Sequence, residues 1–286
     1  MTSCKAVLSL AVLLLASAPL ALAQGTYTQI DYPGAIYSEV WGVDAIGDVS
    51  GFYEDATSEW HGYILSGGIY TQIDYPDATG TFLYGLNDLG QVVGDTAFPS
   101  QGFLYDISTH AFTQLTCDSS GVIPIGINNA GVIAGFTNTS QPEGLALVGS
   151  DCRTIPLVKM LNTYVYGVSA SNELVGYLRA SDGIDVANFS YIRGAYAKIS
   201  FPNALRVVVQ AISPTGDLLA GYYSPSPGTT AGFLYNGNNL TTLQFPGSSY
   251  TSVAGVSSTG EAVGVFISAS GAHGFTWTPP ADTAKK

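Results

Sequence analysis

The residues with the widest chemical reach in this chain are its carboxylates, and they gather in two places. Glu54, Asp55 and Glu59 stand beside Trp60, while Asp182 and Asp185 stand close to Arg179. Paired carboxylates can divide acid and base work on a sugar or hold calcium. No calcium-loop spacing is present, and both groups read as solvated loops of an acidic protein. The three histidines are His61, His110 and His273. His61 and His273 hold the same position in the repeat described below, which a closed ring would make neighbouring positions. A zinc centre needs three or four ligands converging at about 2.0–2.3 Å; no spacing here supplies them, so neither metal nor cofactor is expected. Serine nucleophile elbows, phosphate loops and a cysteine nucleophile with a partner are all missing from the sequence.

These residues hang on a phrase that returns six times. Trp41-Gly42-Val43-Asp44-Ala45-Ile46-Gly47 is followed by related phrases beginning at Tyr84, Ile125, Tyr166, Gln210 and Ala254, 41 to 44 residues apart. Such a period predicts a repeat architecture. In each copy an apolar run ends in Asp44, Asn87, Asn128, Ser169, Ser213 or Ser257, short polar side chains that bond their own backbone and start turns. A glycine or asparagine three residues later supplies the left-handed conformation of a tight hairpin.

Three further runs complete each repeat. The second carries a glycine in every copy, Gly51, Gly94, Gly135, Gly176, Gly221 and Gly264, and reads as a strand approaching a neighbouring sheet closely. Its fifth copy holds one residue more, which reads as a β-bulge. The third run, such as Gly102-Phe103-Leu104-Tyr105, alternates with period 2. The fourth, such as Tyr70-Thr71-Gln72-Ile73-Asp74, has one apolar and one wet face, as suits the outer edge of a sheet.

Four strands in about 42 residues, six times over, predict an all-β chain folded as a six-bladed β-propeller. The apolar, glycine-rich phrase belongs nearest the axis and the Tyr70 run outermost. The last repeat ends at Trp277 without a fourth run, and an unattached copy, Tyr27-Thr28-Gln29-Ile30-Asp31, precedes the first phrase. That strand is expected to complete the last blade and close the ring, removing a free edge. Tyr32-Pro33, Tyr75-Pro76, Phe201-Pro202 and Phe245-Pro246 end the outer runs; the proline stops the ladder and the aromatic covers the joint between blades.

Residues 1–23 combine Lys5, an apolar run from Ala6 to Leu15 and a closing Ala21-Leu22-Ala23. These are the parts of a secretory signal peptide, and they predict cleavage near Ala23 and a secreted, extracellular or periplasmic chain. Residues 24–280 read as one propeller and 281–286 as a short polar tail. Loss of Lys5 leaves 8 basic against 21 acidic residues, a formal charge of −13, which repels phosphate backbones and anionic lipids. Nucleic acid is excluded as a partner, and no further run reaches the roughly 20 apolar residues of a membrane span. A monomer is expected. Of the two cysteines in the mature chain, Cys117 ends one outer run and Cys152 begins the next, so the register places them near opposite faces and unbridged.

Two segments, Gly85-Leu86-Asn87-Asp88-Leu89-Gly90-Gln91-Val92-Val93-Gly94 and Gly126-Ile127-Asn128-Asn129-Ala130-Gly131, occur with the strand openings His61-Gly62-Tyr63 and His273-Gly274-Phe275. Together they resemble the repeats of bacterial extracellular HAF-repeat proteins, and the resemblance spans the mature chain. His110-Ala111-Phe112 spells the triplet out of register, and the fourth and fifth repeats replace the Asn and His positions. The resemblance implies a secreted or surface-attached repeat protein and carries no catalytic residues. The function expected is a binding or scaffold module with a carbohydrate or protein partner at one mouth of the propeller. Candidate binding residues are Tyr37, Glu39, Phe82, Tyr164, Arg206 and Tyr250, where the chain enters the inner strands, with Glu54, Asp55 and Trp60 on an adjoining loop. The alternative is an exported hydrolase or lyase using carboxylates at the same mouth, a choice the fold alone cannot make.

Overall fold

The structure, a computed structural model, describes residues 25–117, 120–155, 161–201 and 204–281. The expected signal peptide and residues 282–286 of the tail lie outside them. Every regular element among the described residues is a β-strand. Strand β1 (Thr26–Ile30) precedes a first repeat of β2 (Tyr37–Val43), β3 (Val49–Glu54), β4 (Trp60–Ser66) and β5 (Ile69–Ile73). The second repeat holds β6 (Thr81–Leu86), β7 (Gln91–Thr96), β8 (Gly102–Asp106) and β9 (Ala111–Cys117). The third holds β10 (Ser120–Ile127), β11 (Val132–Thr137), β12 (Gly144–Val148) and β13 (Asp151–Thr154). Then come β14 (Asn162–Val168), β15 (Leu174–Arg179), β16 (Asp185–Ile192) and β17 (Ala195–Ile199). The fifth repeat has β18 (Arg206–Ile212), β19 (Leu219–Ser224), β20 (Ala231–Tyr235) and β21 (Leu240–Leu243); β22 (Tyr250–Val256), β23 (Ala262–Ser268) and β24 (Gly271–Thr278) end the chain.

Each repeat is an antiparallel meander in sequence order, and β1 joins the last sheet beside β24, with Tyr27 opposite Trp277. The phrase strands β2, β6, β10, β14, β18 and β22 all line one central cavity. They are the inner strands. Each turn at the end of a phrase is built by its own side chain: Asp44 Oδ1 accepts from the N–H groups of Ile46 at 3.0 Å and Asp48 at 2.9 Å. Asn87 and Asn128 repeat that geometry, and Gly47, Gly90 and Gly131 take the positive φ that closes the turn.

Two expectations about backbone detail change. The extra residue of the fifth repeat lies in the turn, where Ser213 N–H reaches the Leu218 carbonyl while Asn128 N–H reaches Val132. It is not a bulge of the second strand; register shifts instead recur in the inner strands, between Val40 and Gly42 in β2 and at matching places in β10, β14, β18 and β22. The second-strand glycine also approaches a different partner. A Cβ on Gly51 would meet the Glu39 carbonyl oxygen at 2.0 Å, within its own sheet beside that shift. Contact between sheets falls to the phrase glycine: a Cβ on Gly42 would meet the Tyr84 carbonyl at 2.5 Å.

The apolar faces are buried in six clusters, and each draws on two successive repeats. The cluster of Val40, Val49, Tyr63 and Val263 joins the first repeat to the last and includes Ile30 of β1. The aromatic–proline residues seal the joints: Tyr32 stacks on Tyr53 at 3.9 Å and Phe245 on Phe266 at 3.6 Å. A correction falls at the second joint, where Cys117 and Cys152 form a disulfide with Cα atoms 5.4 Å apart. Register alone put them on opposite faces, but β9 runs two residues past the Ile73-equivalent Leu115 and pairs directly with β10, Cys117 opposite Ser120. That extension carries Cys117 onto the third repeat and merges two meanders into one eight-stranded sheet.

Candidate functional site

The inner strands begin at one mouth of the central cavity, and alternate side chains face it, such as Tyr37, Glu39 and Trp41 in β2 and Phe82 and Tyr84 in β6. Trp41, Tyr84 and Tyr166, each the residue before the phrase glycine, floor the mouth: Trp41 lies 5.1 Å from Tyr84 and 6.3 Å from Tyr166, ring centre to ring centre. Gln210 holds the same position in β18 and accepts from the Ser252 hydroxyl at 2.6 Å. The cavity beneath is only about 80 Å³. The rings therefore nearly fill the axis, and the partly exposed side chains around this mouth are termed the bowl.

One wall comes from the first two repeats. Tyr37, Phe52, Trp60 and Phe82 pack edge to face, with Tyr37–Trp60 at 5.3 Å and Phe52–Phe82 at 5.0 Å. Glu39 stands at their foot, its carboxylate taking the Tyr37 hydroxyl on one oxygen and Trp41 Nε1–H, at 2.6 Å, on the other. Burial pushes the Glu39 carboxyl up from its usual range, against the pull of those two hydrogen bonds. Next to it the Tyr84 hydroxyl donates to Asp95 Oδ1 at 3.0 Å, and burial raises the Asp95 carboxyl to about 6.

The facing wall belongs to the third, fourth and fifth repeats. Phe136 meets Tyr164 at 4.9 Å, and Tyr164 stacks on Tyr177 at 5.0 Å. Arg179 Nε donates to Asp185 Oδ1 at 2.8 Å, and Arg206 Nε to Oδ2 at 2.7 Å. The guanidinium of Arg179 lies 5.3 Å from the Tyr177 ring centre, that of Arg206 5.4 Å from Tyr222. Burial opposes both cationic charges, and Asp185 with the tyrosines outweighs it, so both stay above the ordinary arginine value. Tyr222 contacts Tyr250 at 6.0 Å, and Tyr250 feels both Glu39 and Arg206.

The structure thus brings together Tyr37, Glu39, Trp60, Phe82, Tyr164, Arg206 and Tyr250, with Glu54 opposite Tyr37 in the β2–β3 pair. Asp55 does not join them. Its Oδ1 accepts from the Thr57 and Glu59 N–H groups inside its own turn, and these bonds pull its carboxyl down. Asp185, expected in a solvated loop, is instead ion-paired with a side chain 7% exposed. Phe52, Asp95, Phe136, Tyr177 and Tyr222 were missed, although all follow the second-strand glycine directly, and the first four touch Trp41, Tyr84 or Tyr166 at the axis.

The two repeat histidines have separate, matching surroundings. His61 Nδ1 lies 2.9 Å from Asp74 and 3.1 Å from Gln72, and His273 Nδ1 lies 2.9 Å from Asp31 and 3.1 Å from Gln29 of the β1 segment. Asp55, Glu59 and His61 each bring one ligand atom within 4.8 Å of the others, a grouping the spacing did not suggest. No helix among the described residues is long and apolar enough to cross a membrane.

No family model matches the chain, and no curated protein matches it. Solved structures do. TolB from Acinetobacter baumannii aligns with a TM-score of 0.57 at 11% identity, over 81% of this chain and 63% of that one, so the chain spans less than two-thirds of TolB. The β-propeller domain of the Trilobed protease from Pyrococcus furiosus gives 0.54 at 9%, covering 86% and 80%. The fold is a β-propeller. The Aleuria aurantia lectin in complex with α-methyl-L-fucoside is also similar, with a TM-score of 0.53 at 12% identity, over 89% of this chain and 96% of the lectin.

Proposed function

We propose that this chain is an exported binding module, a six-bladed propeller closed by β1, that holds a carbohydrate in the bowl where its inner strands begin. The carrying observation is the Glu39 carboxylate, fixed between the Tyr37 hydroxyl and Trp41 Nε1 at the foot of an aromatic wall. Half-buried aromatic faces beside a few fixed polar groups suit the apolar face and hydroxyl rim of a sugar ring. The lectin likeness fits this reading at the level of fold. Export rests on the leader-like residues 1–23, agrees with a disulfide at Cys117–Cys152, and accords with the resemblance to bacterial HAF-repeat proteins.

A calorimetric titration of the mature chain against a panel of neutral and acidic oligosaccharides tests the reading. Saturable binding that is lost in Trp60→Ala is the expected result; heats of dilution alone across the panel would remove the carbohydrate. The hydrolase reading draws on Asp95, whose carboxyl is raised toward neutrality beside Tyr84. Shortening of any panel member on prolonged incubation, abolished in Asp95→Asn, would favour it.

A further inference from the structure

Beside the bowl, the joint between the fourth and fifth repeats concentrates positive charge in an acidic protein. The described residues include five basic side chains, Arg153, Arg179, Arg193, Lys198 and Arg206, in a chain of formal charge −12. Arg206 and Lys198 line one cleft of about 290 Å³ together with Asp185, Asn188 and Ser200, and Arg179 adjoins it through Asp185. One guanidinium would neutralise the buried Asp185 carboxylate; the second is surplus. The carboxylate oxygens accept from both Nε atoms, two of the ten N–H donors that two guanidinium groups carry, and Arg206 Nη2 lies 2.5 Å from Oδ2. Tyr177 and Tyr222 hold the planes in place, so little ordering entropy remains to be lost when an anion arrives. Arg206 starts an inner strand at the bowl, and Lys198 stands exposed on outer strand β17, so the cleft runs from axis to rim.

We infer that this cleft binds the anionic groups of an acidic glycan, a uronate-bearing chain that leaves the bowl and lies along the joint. The inference rests on the reading of the bowl as a carbohydrate site and adds the charge and direction of the ligand. Arginine pairs a carboxylate through two parallel hydrogen bonds, and Lys198 adds a point charge farther out.

The test is calorimetry on the mature chain with two probes of equal length, an oligogalacturonate and its fully methyl-esterified form. The acid is expected to bind about tenfold more tightly than the ester, the scale of one charge-assisted hydrogen bond. Arg206→Gln should bring the two within about twofold, and Lys198→Gln, on an exposed edge strand, should weaken the acid by about threefold. Equal affinity of the parent for acid and ester overturns this inference and leaves carbohydrate binding standing. Absence of binding by both counts against both readings. An unchanged Lys198→Gln removes the cleft as the anion site, and tighter binding of oligoglutamate than of oligogalacturonate would replace the glycan with an acidic peptide.

Discussion

The same inner strands end in two unlike surfaces. Where they finish, Asp44, Asn87, Asn128, Ser169, Ser213 and Ser257 are all buried; each bonds backbone of its own turn, and Asn87 and Asn128 also bond backbone of the next repeat. Asn87 Nδ2 reaches the Asn128 carbonyl at 3.0 Å, and Asn128 Nδ2 reaches the Ser169 carbonyl at 2.8 Å. Where the strands begin, the equivalent positions differ in every repeat: Glu39, Phe82, Tyr164 and Ser252 share nothing but direction. A surface that repeats its residues is maintaining the assembly, whereas one that varies them on the same backbone is free to recognise something. On the reading proposed above, the finishing end is scaffold and the beginning end is the site.

The largest test of that division removes the strand that both ends depend on. Deleting residues through Asp31 takes β1 from the last sheet, Ile30 from the core joint and the Gln29 and Asp31 contacts of His273. A fall of more than about 10 °C in the melting temperature, followed by circular dichroism, is expected; an unchanged melt would refute the role of β1. Asn128→Ala comes next. It strips two turn N–H bonds and the link to Ser169, and should cost roughly 2–4 kcal/mol in denaturant unfolding while saccharide affinity stays within twofold.

Asp95 gives a smaller effect with the opposite sign. Its folded carboxyl is raised from 3.8 to about 6 by burial. The folded state therefore holds this proton more tightly than the unfolded chain, so the group is neutral to stability below about pH 4. It becomes destabilising as pH climbs toward 6 and levels off above that. A shift of about two units corresponds to at most about 3 kcal/mol. Asp95→Asn, which keeps an oxygen for Tyr84, should match the parent at pH 3.5 and exceed it at pH 7.5; parallel pH–stability curves would contradict the burial of a titrating group at the site. The smallest expected change in stability is Glu39→Gln, within about 1 kcal/mol, because the amide fits the same space.

The repeat made the scaffold legible. Short polar residues four to six positions before each second strand named the turns, and apolar period named the strands and their order in each sheet. Three features stayed out of reach because tertiary geometry decides them. The disulfide depends on two extra residues of β9, a local extension that no spacing betrays. The second-strand glycine answers to a register shift in the adjacent strand and not to the neighbouring sheet. Asp185 looked solvated because its loop is polar, yet two arginines from different repeats meet on it. The bowl itself was half legible. The first residues of the inner strands were found from topology, whereas Asp95, Tyr177 and Tyr222 on the second strands were hidden by the apolar look of that run.

The most direct measurement uses the placement of the three tryptophans, Trp41 and Trp60 at the bowl and Trp277 in the core between the last two repeats. Tryptophan emission of the mature chain is titrated with the oligosaccharide that binds best in calorimetry, alongside Glu39→Gln. A saturable change in emission for the parent, absent in a Glu39→Gln protein of unchanged melting temperature, is the result predicted for a carbohydrate held at the bowl. Saturable binding of that oligosaccharide with unchanged emission, or an equal response in Glu39→Gln, would place the ligand elsewhere on the protein and contradict the account.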